Sequence, residues 1–442
     1  MIINNLNQIL LLIILLIEIG QSLAPVERSA HSSVLVDKKL FFFGGHSDHS
    51  LKKSVILDQI IYLDVSKPFN TANPPFEEIS KTIPFGSSFA TAFLSPQKNI
   101  IYLFGGIVKD VNTDLDSFKS VLYSYNLETN EWIIPITNGI APGRRREMNG
   151  VINNKTGKFY VFGGAIDPET GSQSTIALND MNIFDTISLT WSKGSSIYAP
   201  LPRMDFTTTL LSNGIIVFIG GRETNNLVDV DINQLVLYDT TIDKWSSMMA
   251  RGVILENRNA HSAVLTPDER IIIFGGCKGY NETILNQLAV LNTKTYPYEW
   301  SIPQVSALNS APPLIYFHSA TLIENYMFIN FGQNYELKNP ELQKPFFYIL
   351  DIRNFTWVTQ FEPEQPEQLP VTTNSVTPIA TATITNTSLT NLTAEKSGQI
   401  GIILGAVGLS VVIITVAGFL GYKFYKKQKY NRAIPTAGEI QS

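Results

Sequence analysis

Arginines are the side chains of this sequence whose repeated placement most resembles a binding site. Four of them lie three residues ahead of a similar short apolar segment: Arg28, Arg146, Arg203 and Arg258. A guanidinium can hold a carboxylate or sulfate group through two parallel N–H donors. If the segments radiate from one axis, the four side chains converge near one end of it and bind an acidic ligand; alternatively, each clamps backbone carbonyls. Three arginines that follow the repeat less closely are further candidate ligand contacts: Arg144, Arg145 and Arg222.

Histidines and the single cysteine bear on metal and redox chemistry. Cys277 has no partner for an intramolecular disulfide. His46 and His49 share one loop with Asp48 and form a weak candidate site for copper or zinc, although such a pair is more typical of a solvated turn. We therefore predict no metal and no cofactor. Three histidines hold one position in three repeats, which indicates a structural role: His31, His261 and His318.

These residues belong to an internal repeat with three markers. The first marker is a glycine doublet that ends an apolar run, at Gly44, Gly105, Gly163, Gly220 and Gly275, with a sixth copy at Gly332 followed by Gln333 in place of the second glycine. The second is an aromatic residue or Leu followed by Asp or Asn, as in Tyr238-Asp239. The third is a tryptophan, at positions 132, 191, 245, 300 and 357. Period and order together predict six structural units over residues 25–361.

Local chemistry resolves each unit into four strands. An opening strand meets a polar hairpin turn, the apolar strand follows, and its glycines permit positive φ and close backbone approach. The Asp or Asn can bond its own turn, and the tryptophan then packs against the neighbouring sheet. One such sheet cannot bury both faces, but six arranged radially can, so we predict an all-β, six-bladed propeller. The first unit lacks a tryptophan, and Phe69 or Phe76 takes its place; how the sixth unit closes on the first stays open.

With its glycine doublet, Tyr-Asp type pair and spaced tryptophan, the repeat resembles that of the kelch β-propellers. The resemblance covers about three quarters of the chain. It implies a protein-binding module, or, as in galactose oxidase, a copper-radical enzyme that needs two His, two Tyr and a cross-linked Cys. Cys277 directly follows a doublet, as that alternative requires, but the histidine count argues against it.

The two ends of the chain predict export and membrane anchoring. Residues 9–19 are an apolar run of signal-peptide length, with cleavage expected near residue 24. Residues 400–422 carry no charge and are long enough to cross a bilayer, and the basic segment 423–442 follows as a cytoplasmic tail. These features predict a type I single-pass protein. Gly401 and Gly405 have a spacing that permits a homodimer of spans.

Between the repeat and the predicted span, residues 362–399 are rich in Thr, Ser, Pro and Asn and predict an extended stalk. Candidate glycosylation sequons occur there and in the repeat: Asn154, Asn281, Asn354, Asn386 and Asn391.

The net charge of −5 gives no basic surface for nucleic acid. We expect a cell-surface or secretory-pathway module that binds an extracellular protein or glycan without catalysis. The alternatives are a surface-tethered oxidase acting on carbohydrates or alcohols, and a spacer without a specific ligand.

Overall fold

The computed structural model describes residues 23–47, 55–80, 82–223, 228–279, 282–334 and 347–364. The predicted signal peptide up to residue 22, nearly all of the stalk, the predicted span and the tail lie outside these residues, as do Gly401 and Gly405. Within them, none of the helices has both the length and the apolar character that crossing a bilayer requires.

Six sheets, each built on four antiparallel strands and here called blades 1 to 6, form the body of the described chain, which confirms the predicted all-β propeller. The sheet of blade 5 has a fifth strand that runs parallel to its neighbour. In every blade the order of the four strands in the sheet follows their order along the chain. Their bounds, blade by blade, are Ser32–Val36, Lys39–Phe43, Ile60–Asp64 and Phe76–Glu78; Phe85–Leu94, Ile100–Asp110, Leu122–Asn126 and Glu131–Ile133; Gly150–Asn153, Lys158–Phe162, Met181–Asp185 and Thr190–Lys193; Thr207–Leu210, Ile215–Ile219, Gln234–Asp239 and Lys244–Met249; Ser262–Leu265, Arg270–Phe274, Leu288–Asn292 and Glu299–Ser301; Ser319–Ile323, Tyr326–Asn330, Phe347–Asp351 and Thr356–Val358.

The blades form a closed ring, because the first strand of each blade contacts the first strand of the next, including blade 6 against blade 1. Closure needs no exchange of strands. A short pair of strands, Phe69–Asn70 with Gln360–Phe361, ties the end of blade 6 to blade 1. Apolar clusters between neighbouring blades form the core, and the second and third strands supply many of its fully buried side chains.

The glycine doublets join neighbouring blades. In blade 1 both glycines have positive φ, and the Gly45 N–H donates to the carbonyl of Ser87 in blade 2. The corresponding bond at the ring closure runs from the Gly332 N–H to the carbonyl of Arg28. Gly332 is therefore the second residue of the doublet, and the first is Phe331 at φ 56°. The prediction that Gln333 replaces the second glycine was wrong by one position.

The other two markers act as predicted. In all six blades the Asp or Asn that ends the third strand accepts a backbone N–H of the following turn. Trp191 and Trp245 pack against Phe104 and Phe162 of the preceding blade, at ring-centroid distances of 5.5 and 5.0 Å. Phe76 takes the place of the missing tryptophan in blade 1.

Each end of the ring has its own kind of loop. The doublet face is the end that carries the glycine doublets, the loops from second to third strands and the connections between blades. The turn face is the opposite end, with the tight hairpins. Short strands and two 3-10 turns elaborate the loops and connections: His46–Ser47 with Val55–Ile56, Ala165–Ile166 with Ile176–Ala177, Arg203–Met204 with Arg222–Glu223 and Val228–Asp229, Ile315–Tyr316 with Gln333–Asn334, Arg251–Gly252 beside Glu299–Ser301, and turns Pro168–Thr170 and Leu308–Ser310.

Candidate functional site

Most of the repeated arginines hold the backbone of their own blade rather than a ligand site. The Arg28 Nη1 donates to the carbonyl of Gly44 at 3.0 Å, and the Arg258 Nη1 donates to the carbonyl of Gly275 at 3.4 Å. The left-handed backbone of the doublet turns these buried carbonyls away from the hydrogen bonds of the sheet, so they need another donor. Burial lowers the pKa of both guanidiniums to about 10. The prediction that the repeated arginines converge on the axis is therefore wrong for Arg28 and Arg258.

The register of the arginines in blade 3 also needs correction. The carbonyl of Arg145, not that of Arg146, accepts the second-glycine N–H of the preceding blade, as those of Arg203 and Arg258 do. Arg145 Nη1 also donates to the Gly163 carbonyl at 3.1 Å and lies 2.6 Å from Asp180. Arg145 is therefore the repeated arginine, and Arg146 is one residue closer to the channel.

Blade 2 has Ser87 at the repeated position, and Arg144 supplies the missing donor from the next connection. Its Nη1 donates to the carbonyls of Gly105 and Gly106 at 3.3 and 3.4 Å. Its role is therefore also structural.

Arg203 is the exception among the repeated arginines. Its side chain is 7% exposed and lies 4.0 Å from Glu223, but its Nε and Nη1 donate no hydrogen bond in the described structure. Burial lowers its pKa to about 10.

The mouth of the central channel is ringed by six equivalent residues, one per blade, each two positions after the residue whose carbonyl accepts the second-glycine N–H. All of them have left-handed backbone, with φ between 50° and 58°: Ala30, Phe89, Glu147, Asp205, Ala260 and Phe317. Backbone bonds link ring neighbours: the Ala260 N–H donates to the Asp205 carbonyl, and the Ala30 N–H donates to the Phe317 carbonyl across the closure. These residues line a cavity of about 130 Å³ on the doublet face, and we call them the mouth ring.

One side of the mouth ring is charged. Glu147 and Asp205 are the ring residues of blades 3 and 4, and both side chains are nearly fully buried. Arg222 contacts both carboxylates, and Arg146 bridges Glu147 and Asp167. Burial and the neighbouring Asp205 raise the pKa of Glu147, and burial likewise raises the pKa of Asp205. Arg146 and Arg222 are thus the two predicted contacts that do approach the channel.

The opposite side of the mouth ring is aromatic. Phe89 and Phe317 lie edge to face with centroids 5.1 Å apart. The Arg146 guanidinium lies 5.8 Å from the centroid of Phe89, which joins the aromatic side to the charged one. The mouth ring was not predicted from the sequence. Its members lie two positions after the repeated arginine in blades 1, 3, 4 and 5, but blades 2 and 6 have Ser87 and Ile315 at that position.

The repeated histidines join blades, as their repetition predicts. His31 bonds Ser319 at 2.8 Å, His318 bonds Ser262 at 2.8 Å, and His261 bonds Thr207 at 3.1 Å. Burial lowers the pKa of all three imidazoles, that of His318 to about 3.

The residues considered for metal and redox chemistry do not form a site in the described structure. His46 lies in a short strand that pairs with Val55–Ile56, and His49 lies outside the described residues. Cys277 is 2% exposed, and its thiol lies 3.2 Å from the Asn259 side-chain oxygen. Across the described ranges, no three His, Cys, Asp or Glu side chains are placed to hold one metal ion. The copper-radical alternative therefore has no supporting geometry here.

Two of the candidate sequons can be placed. Asn154 and Asn354 are both exposed and lie in tight turns of the turn face, away from the mouth ring. Asn281, Asn386 and Asn391 lie outside the described residues.

Comparison with known proteins supports the propeller assignment. The family model described as the Attractin/LZTR1 beta-propeller matches residues 17–288 and 158–386, which is more than half of the chain. Kelch domain-containing protein 3 from Homo sapiens is 27% identical over 264 residues, covering 56% of this chain and 64% of that protein. Host cell factor 1 from Homo sapiens is 29% identical over 215 residues, 43% of this chain and 10% of that protein. The alignments thus span less than two thirds of these relatives. The predicted kelch-type propeller is confirmed.

Proposed function

Because the chain belongs to the Attractin/LZTR1 beta-propeller family, we propose that it is a non-catalytic protein-binding module that receives its ligand on the doublet face. The observation that carries the proposal is the asymmetric mouth ring. A preformed cavity with a charged side and an aromatic side offers two kinds of contact to one ligand, and ligand sites commonly combine apolar walls with a few placed polar groups.

The chemistry of the mouth favours a polypeptide over a glycan. Phe89 and Phe317 supply rigid apolar area, and the Arg146 side chain, which is 22% exposed, lies beside Phe89. Aromatic and arginine side chains dominate the energetics of protein interfaces. A peptide loop that carries a polar side chain next to an apolar residue satisfies both sides of the ring.

The proposal includes the predicted location. We propose that the propeller lies outside the cytosol, held by the span at residues 400–422, after export directed by residues 9–19. Asn154 and Asn354 support the proposal that an exported chain binds its ligand on the doublet face, because glycans on the turn face leave the mouth ring uncovered. Enzymatic removal of N-glycans should increase the gel mobility of the cell-expressed chain; an unchanged mobility contradicts the export proposal.

Display of a peptide library against the full chain tests the binding function. We expect selected peptides to bind at least tenfold more weakly to the Phe89→Ala and Arg146→Ala variants, since each removes one side of the mouth. Ile187→Ser, on the turn face, is the matched control and should bind as the unmodified chain does. Peptides that are insensitive to both mouth variants, or a glycan array that binds when no peptide does, would contradict the proposal.

A further inference from the structure

Connections between blades cross over the outer strand of the blade that follows. In blade 3 the Asn138 N–H donates to the Leu189 carbonyl, and the Trp191 N–H donates to the Asn138 carbonyl. In blade 6 the Ser306 N–H donates to the Phe355 carbonyl, and the Trp357 N–H donates to the Ser306 carbonyl. We call such a crossing segment a strap.

A similar strap crosses blade 5, where Arg251–Gly252 runs parallel to Glu299–Ser301. The other two pairings are parallel as well. In blade 4 the indole N–H of Trp245 donates to the carbonyl of Ser195 in the incoming connection. In blade 1 the Leu23 N–H donates to the Phe76 carbonyl. The outer strands of these five blades are thus all contacted from outside.

Blade 2 has no strap in the described chain. The connection that leads to it stays on blade 1, where the Ile79 N–H donates to the Ile60 carbonyl and the Ile83 N–H donates to the Asp58 carbonyl. Trp132 has the same register against its third strand as Trp191 has in blade 3, so the backbone N–H of Trp132 points outward. No described residue accepts a hydrogen bond from that N–H, and the outer edge of Glu131–Ile133 is open.

A mainly apolar pocket, which Asp110, Ser117 and Lys119 also line, lies beside this open edge. Its volume is about 470 Å³, and its walls include Phe85, Tyr123 and Trp132. Ile133 and Ile134 at its margin are 57% and 50% exposed. In blade 5 the chain that continues from the strap buries Leu255 in the cluster that contains Trp300. Blade 2 therefore presents both parts of a strap site, a free strand edge and an apolar pocket, without the strap.

We propose that this edge of blade 2 binds an extended segment of a partner protein, parallel to Glu131–Ile133, with an apolar side chain in the pocket. The inference rests on the proposed protein-binding function and assigns it a second surface. Strand addition of this kind obtains its affinity from main-chain hydrogen bonds and its specificity from side-chain pockets.

The chain's own straps define the chemistry of the occupant. In each, a polar residue that bonds the strand is followed by a residue with positive φ, at Gly139, Gly252 and Ala307. A Cβ at Gly252 would lie 2.2 Å from the Trp300 carbonyl oxygen, so glycine is strongly favoured there. Apolar residues come next, such as Val253. The expected motif is a polar residue, glycine, and then apolar residues.

A labelled peptide with the sequence of residues 249–255, Met-Ala-Arg-Gly-Val-Ile-Leu, tests the proposal by fluorescence anisotropy against the full chain. The Ile134→Glu variant should bind it at least tenfold more weakly, because a carboxylate then borders the pocket. Ile302→Glu is the matched control at the equivalent position of strapped blade 5, and it should bind within twofold of the unmodified chain. A peptide in which valine replaces the glycine should also bind at least tenfold more weakly.

Amide hydrogen exchange provides a second readout that needs no variant. In the free chain the Trp132 amide should exchange at least tenfold faster than those of Trp191 and Trp357, and the peptide should slow it at least tenfold. Equal protection of all three amides in the free chain, absence of peptide binding, or equal loss of binding in Ile134→Glu and Ile302→Glu would overturn the proposal. If library peptides bind and respond to Phe89→Ala, but the labelled peptide does not bind at the edge of blade 2, the proposed function is supported and only this inference is wrong.

Discussion

Arg203 and Arg258 occupy the same position in neighbouring blades but differ in the contacts of their guanidiniums. Arg258 donates to the carbonyls of Gly275, Asn286 and Gln287, whereas Nε and Nη1 of Arg203 donate to nothing in the described structure. Arg203 has only a long contact with Glu223, at 4.0 Å, so its removal deprives no close acceptor of a donor. Removal of a well-paired buried cation leaves its acceptors unsatisfied.

We therefore expect Arg258→Met to lower the free energy of unfolding by about 3 kcal/mol. Arg203→Met should change it by less than about 1 kcal/mol, because no acceptor is orphaned and the thioether fills much of the same volume. Urea unfolding of both variants measures the difference, and equal losses would contradict the distinction between the two sites.

The buried histidines predict an acid-sensitive ring. Burial holds the pKa of His318 near 3 in the folded chain, while an unfolded histidine titrates at about 6.5. The unfolded chain then binds more protons below pH 6.5, so stability falls as the pH is lowered from that value toward 3.

We expect His318→Gln to reduce the slope of unfolding free energy against pH by about 1.4 kcal/mol per pH unit between pH 4 and 6. Urea unfolding at a series of pH values measures this slope. The absolute stability of the His318→Gln variant also changes, because the hydrogen bond to Ser262 is altered. The slope against pH is therefore the quantity that reports on the titration of His318. Parallel pH curves for the two proteins would show that His318 titrates normally.

At the scale of single residues, the sequence predicted the repeated histidines and three of the four repeated arginines, but not where these side chains point. A repeated arginine beside a doublet is compatible with an axial ligand site and with a backbone clamp, and only the position of the Gly44 and Gly275 carbonyls decides between them. The members of the mouth ring share no residue type, so Phe89 and Glu147 gave no signal as a set.

At the scale of the element, the glycine doublet sets the geometry of each blade. Gly44 has φ 59°, and a Cβ there would lie 2.1 Å from the Ser87 carbonyl oxygen. Gly279 has nearly the same φ, 60°, but nothing lies within 4 Å of its Cβ position. Alanine substitution at Gly279 therefore measures the free-energy cost of the backbone conformation alone, whereas substitution at Gly44 adds the cost of the steric clash.

We expect Gly279→Ala to cost about 1 kcal/mol of unfolding free energy, which is the conformational penalty alone. Gly44→Ala should cost at least about 3 kcal/mol, because the neighbouring blade must also move. Thermal and urea unfolding check the ranking, and a Gly44 variant as stable as the Gly279 variant would contradict the close contact between blades.

The strands themselves were largely predictable, because alternation, hairpin turns and capping Asp or Asn residues specify them locally. The sixth doublet was not, since Phe331 adopts the left-handed conformation that glycine usually supplies. The centroid of its ring lies 5.2 Å from that of His31 and 5.4 Å from that of Phe42, both in blade 1. This packing across the closure offsets the unfavourable backbone conformation of Phe331. Such a compensation involves residues almost 300 positions apart and leaves no local trace in the sequence.

At the scale of the whole molecule, the ring closes without exchange of a blade strand, so side-chain packing acts together with a few backbone hydrogen bonds to hold blades 6 and 1 together. Phe361 is fully buried there, with ring centroids 5.2 Å from Phe69 and 5.1 Å from Phe328. The sequence fixes neither this contact nor the choice between closure by exchange and closure by packing.

Truncation of this side chain tests the closure. We expect Phe361→Ala to lower the free energy of unfolding by about 3–5 kcal/mol, as is usual for a large aromatic residue removed from a core. Near-ultraviolet circular dichroism, which reports on tryptophans in blades 2 to 6, should follow the same unfolding transition as the far-ultraviolet signal. Loss of less than about 1 kcal/mol would mean that the closure does not depend on this contact.

Amide hydrogen exchange at the mouth ring tests the closed six-bladed ring most directly. The amides of Ala30, Ala260 and Phe317 each donate to the preceding ring residue, and the bond from Ala30 to Phe317 exists only if blade 6 meets blade 1. The account predicts that Ala30 is as strongly protected as Ala260, which lies far from the closure. Rapid exchange at Ala30 with protection retained at Ala260 would show that the ring is open and would contradict the account.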